Sequence, residues 1–81
     1  MRHNPKDLKR YKELKKILID HCLYEDDIAR AADCTQPAVS YFINGHTNSK
    51  KVARAFASLT GEYERVASII NVPVQELKDA A

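Results

Sequence analysis

Only two glycines and three prolines interrupt 81 residues. Sheets draw on tight turns, and tight turns draw on residues that tolerate positive φ or preset the bend, so a chain this poor in both is steered toward helices. A chain of this length buries only about 60–65% of the surface its unfolded form exposes, which leaves one core and no second domain. The expected fold is all-α: a compact bundle of five, or with a terminal turn six, short helices in a single domain over residues 1–81.

Spacing of the apolar residues places the helices. After Asn4-Pro5, the residues Leu8, Tyr11, Leu14, Ile17, Leu18 and Cys22 recur at intervals of three and four, which predicts a first helix over roughly residues 6–22. Lys9, Lys12, Glu13 and Lys16 fall on its outward side, and Asp7 suits its positive end. A second helix is expected over about 25–32, with Ile28, Ala29 and Ala32 inward and Glu25, Asp26 and Asp27 in its first turn. A third begins at Thr35 or Gln36, with Pro37 in the first turn where a missing N–H does no harm, and stops at Asn44-Gly45. Ser49 is placed to cap a fourth, with Val52, Ala53, Phe56, Ala57 and Leu59 inward and Gly61 at its end. Residues 62–70 form a fifth, or fuse with the fourth if Gly61 is tolerated inside a helix, and Val74–Ala80 adds a short terminal turn.

Cys22 and Cys34 form no C-x-x-C pair and fall on apolar positions, so both are expected to be buried thiols. His3, His21 and His46 show no ligand spacing with them; no metal site and no cofactor is expected. No apolar run approaches a membrane span, and no hydrophobic stretch of a signal peptide follows the charged start, which reads as a cytoplasmic chain. Net charge is +2 and unevenly spread. Residues 1–20 carry seven Lys or Arg against three acids, and residues 21–49 carry one against four. The basic start suits a polyanion or simply keeps a helix soluble.

The run "CTQPAVSYFING" carries no charge at all. Its front is polar (Thr35, Gln36) and its back apolar (Val39, Phe42, Ile43), so something neutral and hydrogen-bonding is wanted on one side. Only residues 33–35 separate the second and third helices, so the two cross steeply, with the small Ala29 opposite Val39 at the crossing.

The longer segment "IARAADCTQPAVSYFING" resembles the helix-turn-helix unit of the lambda-repressor-like family, the Cro and repressor type of phage and bacterial transcription regulators. The match lies at Ile28, Ala29, Ala32, Cys34, Gln36, Val39 and Asn44-Gly45; the basic first helix and "INVPVQEL" resemble the family's outer helices more loosely. Asp33 stands where the family usually has Gly, and Tyr24-Glu25 where it often has Ser-Gln with the Gln touching a phosphate. Residues 46–71 also run longer than in compact members.

The resemblance implies sequence-specific binding of double-stranded DNA with the third helix, about 36–44, in the major groove. Gln36 would pair with adenine, and Pro37, Ser40 and Tyr41 would reach neighbouring bases. Thr35, Asn44, His46, Thr47, Asn48, Lys50 and Lys51 would hold phosphates, and Arg2, His3 and Lys6 would form a basic arm, flexible over residues 1–5. A homodimer on a pseudo-palindromic operator is expected, joined through Val66, Ile69, Val72, Val74 and Leu77, unless these residues simply complete the core. No small-molecule ligand or membrane contact is expected. The alternative is a protein-interaction module, such as an antitoxin, supported by weak basicity and the acids Glu25, Asp26, Asp27 and Asp33. No nucleophile, base and orienter grouping is visible, so an enzyme is not expected.

Overall fold

Most helix boundaries can be traced to a side chain that supplies a missing hydrogen bond or to a residue that accepts a left-handed backbone. The computed structural model describes residues 7–78, which form α1 Leu8–Asp20, α2 Glu25–Ala32, α3 Gln36–Ile43, α4 Lys50–Thr60, α5 Tyr63–Ile70 and α6 Val74–Lys78. Asp7 caps α1 by accepting the Arg10 N–H at 3.1 Å, and Ser49 caps α4 by accepting from Val52 at 3.4 Å. At α2 the direction is reversed: the Asp27 side chain reaches back and accepts the Tyr24 N–H at 2.8 Å. Thr35 has the extended backbone of a cap residue before α3, but its side chain makes no cap bond, and Pro37 lies in the first turn.

The helix ends share one device. Beyond α1, α2, α3 and α5 a single residue turns left-handed: Cys22 (φ 56), Asp33 (φ 57), Gly45 (φ 88) and Asn71 (φ 62). In each case the next N–H closes on the carbonyl five residues back, as in Cys34 to Ala29 at 2.9 Å and His46 to Tyr41 at 2.9 Å. Gly61 (φ 71) ends α4 with one bond to Ala57 at 2.7 Å, so α4 and α5 are separate helices. Gly45 has a second constraint, because a Cβ there would meet the Cβ of Asp7 at 2.9 Å.

Phe42 and Phe56 meet at the centre, ring centroids 6.2 Å apart. Around them lie Leu14, Ile17 and Leu18 from α1, Ile28, Ala29 and Ala32 from α2, Val39 and Ile43 from α3, Val52, Ala53 and Ala57 from α4, and Val66, Ala67 and Ile70 from α5. Leu77 of α6 closes one side.

Some expectations are corrected. The first helix is shorter than 6–22: it stops at Asp20 because the left-handed Cys22 breaks the repeat, and that same turn leaves the Cys22 thiol exposed rather than buried. Cys34 is half-buried against the core, since the turn holding it runs along the surface. Leu8 and Leu59 are exposed at the edges of their stripes, Leu8 in the opening turn of α1 and Leu59 near the end of α4. Of the two alternatives for the five C-terminal apolar residues, Val66 and Leu77 follow the one in which they complete the core, while Ile69, Val72 and Val74 keep part of their surface free. The arm residues Arg2, His3 and Lys6 lie outside the described residues. No helix among the described residues is long and apolar enough to cross a membrane.

Candidate nucleic-acid interface

Residues 33–35 join α2 directly to α3, and the contact between the two helices selects what faces water. Ala29 on α2 and Val39 on α3 are both buried. With Val39, Phe42 and Ile43 turned inward, the helical period throws Gln36, Pro37 and Tyr41 into solvent and leaves Ser40 half-buried between them. Tyr41 is 61% exposed, an unusual setting for a large aromatic side chain in a small domain. Its ring meets the edge of His46 with centroids 5.5 Å apart. Ser40, Tyr41, Asn44 and His46 together line a hollow of about 480 Å³, inside which the Asn44 amide donates to the Ser40 hydroxyl at 3.4 Å.

The other flank is held from α1. Arg10 is only 7% exposed, its guanidinium 4.7 Å from the centre of the Phe42 ring. One nitrogen donates to the Asn48 side-chain oxygen at 2.5 Å and another to the Thr47 carbonyl at 2.8 Å. The Asn48 amide then donates to the Ile70 carbonyl at 3.4 Å, so both ends of that side chain are used inside the protein. Arg10 pairs with no carboxylate at salt-bridge distance among the described residues, and its Nε has no partner there. Burial lowers the pKa of its guanidinium, against the raising effect of the Asp7 charge. The Asp7 N–H donates to the Asn44 carbonyl at 3.2 Å, fastening the segment from its other end.

The expected phosphate ligands are thus not equivalent. Thr35, His46 and Lys51 are exposed, and Asn44 is half-buried beside the hollow. Thr47 and Asn48 are occupied by Arg10, and the Lys50 ammonium lies 3.5 Å from Glu76. Sequence reading missed Arg10, although its spacing of four and seven from Leu14 and Ile17 puts it on the buried stripe. It also missed a trio at the front of α3. The Gln36 amide donates to Glu25 Oε1, and Lys15 lies 3.2 Å from Glu25 Oε2.

No family model, curated protein or solved structure matches the chain. What the surface can do therefore rests on its own chemistry. Its centre is a neutral strip of amide, hydroxyl and phenol groups. Glu25 and Asp26 lie beside Gln36, and the exposed Lys51 borders a separate hollow with Ala31 and Ala32 of α2. Such a strip can donate and accept hydrogen bonds in a fixed order, which is what reading a base edge demands.

Proposed function

We propose that this chain is a sequence-specific double-stranded DNA-binding regulator of transcription, of the Cro or small-repressor type, which lays α3 in the major groove. The observation that carries the reading is the outward projection of Gln36, Pro37 and Tyr41 from a helix whose other face is locked in the core. Gln36 at the front of α3 pairs with a base, Ser40 and Tyr41 reach its neighbours, and the loop after α3 with Lys51 lies along the phosphates. A homodimer, joined through the free parts of Ile69, Val72 and Val74, would read a pseudo-palindromic operator.

The test is selection of bound fragments from a random duplex pool, followed by titration of the consensus and a scrambled duplex. Gln36→Ala should cost about 1–3 kcal/mol on the consensus and far less on the scrambled duplex, whereas Lys51→Ala should weaken both alike. Equal losses on both duplexes for Gln36→Ala would remove the base-reading role.

A protein partner is the second reading, favoured by Tyr24, 77% exposed beside Glu25 and Asp26. Salt separates the two. A DNA complex through several phosphates loses affinity steeply between about 50 and 200 mM salt, and an interface centred on Tyr24 does not.

A further inference from the structure

Glu25 presents a difficulty on the reading just given, because an acid at the edge of a DNA-binding surface repels phosphate. The side chain is only 16% exposed, and both its oxygens are engaged: Oε2 with the Lys15 ammonium at 3.2 Å and Oε1 with the Gln36 amide. Lys15, Tyr24, Glu25, Asp26 and Gln36 line one open hollow at the front of α3. Lys15 lowers the electrostatic penalty of the carboxylate but does not explain why an acid should hold Gln36.

Hydrogen-bond chemistry offers the explanation. An ionised carboxylate only accepts, so Gln36 must turn its NH₂ toward Glu25; the reversed amide would set oxygen against oxygen. One of the two Nε2 hydrogens is consumed. With the hydrogen anti to the carbonyl given to Glu25, the outward edge keeps the syn N–H beside the carbonyl oxygen, a donor next to an acceptor. Adenine presents the complement in the major groove, with N7 accepting and N6–H donating. Guanine presents two acceptors, N7 and O6, and a glutamine satisfies both only by offering both hydrogens of its NH₂. With one hydrogen held by Glu25, guanine is left facing a carbonyl oxygen.

We infer that Glu25 is a specificity-determining residue: by fixing the orientation of the Gln36 amide, it makes the site prefer adenine over guanine, at some expense of affinity for DNA in general. This inference rests on the DNA-binding reading above. Glu25 acts through Gln36 and touches no base itself.

The consequence is that affinity and selectivity move in opposite directions. The test uses the full chain and duplexes from the selected consensus, varied to adenine or guanine at the position whose preference Gln36→Ala abolishes. Glu25→Gln removes the charge and lets either end of the Gln36 amide face it, so binding to scrambled duplex should hold or tighten while the adenine-to-guanine ratio falls about tenfold. Glu25→Asp keeps the charge but shortens the reach, and should lower the ratio with no gain on scrambled duplex. An unchanged ratio in both variants overturns the inference and leaves the DNA-binding reading intact. If the wild-type chain instead shows no base preference anywhere, that reading fails and this inference with it. A wild-type preference for guanine at the Gln36 position overturns the inference alone.

Discussion

Arg10 illustrates what a single residue can do when its partners come from far along the chain. It sits under Phe42 and takes the Thr47 carbonyl and the Asn48 side chain, which lie 37 and 38 residues away. Arg10→Ala strips a part-buried carbonyl and an amide oxygen of their donors and removes the stacked plane, so a loss of about 1–3 kcal/mol is expected. Thermal unfolding followed by circular dichroism should then show a midpoint lower by roughly 5–20 °C. Periodicity put Arg10 on the inward stripe, but nothing local names its acceptors, which is why sequence reading passed it over. The Glu25 to Gln36 contact, eleven residues apart between two helices, was illegible for the same reason. A gentler effect is expected at Glu62, whose carboxyl is held below the ordinary 4.5, chiefly by its bond to His21 and further by Arg65. A depressed acid contributes stability above its unfolded pKa and loses that contribution as the pH falls through the folded value. The stability difference between wild type and Glu62→Gln should therefore be constant near neutrality and shrink on acidification below about pH 4.5, as read from urea unfolding midpoints.

Among the elements, the starts were more legible than the stops. Asp7 and Ser49 are side-chain caps that announce themselves by residue type, and Gly45 and Gly61 announce the ends of α3 and α4. Cys22 does not, because cysteine carries no preference for the left-handed region; its position there follows from the closing bond of Leu23 to the Leu18 carbonyl at 2.9 Å. The stripe Leu14, Ile17, Leu18 was read correctly, while the ends of that stripe were not. Asp33 offers the clearest test at this scale. It holds φ 57 in the turn that sets α3 against α2, with its side chain exposed and hydrogen-bonded to none of the described residues. Asp33→Gly should relieve the left-handed strain and raise stability by about 0.5–1 kcal/mol, seen as a higher denaturation midpoint with an unchanged slope. A lower midpoint would mean that the aspartate contributes something the turn geometry does not reveal.

For the whole molecule, composition and period were enough to give an all-helical chain with one core, and the core members from α2, α3 and α4 fell where three- and four-residue spacing put them, Leu59 apart. The outward placement of Gln36, Pro37 and Tyr41 followed from the same spacing, since fixing Val39 and Phe42 inward leaves them no other side. Less legible was the division of the C-terminal apolar residues between core and surface, because it depends on how α5 and α6 fold back over α4. Val39→Glu tests the shared centre: a lone carboxylate at a fully buried crossing should abolish the cooperative thermal transition rather than merely weaken a binding surface. A variant that keeps a sharp transition would place the crossing elsewhere. The bond from the Asp7 amide to Asn44, with the Arg10 fork beside it, stitches the opening turn of α1 to the segment that follows α3. Fraying in the opening turn of α1, whether from heat or from the drag of a fused partner, would therefore be felt 37 residues later as a loosening of the loop that follows α3.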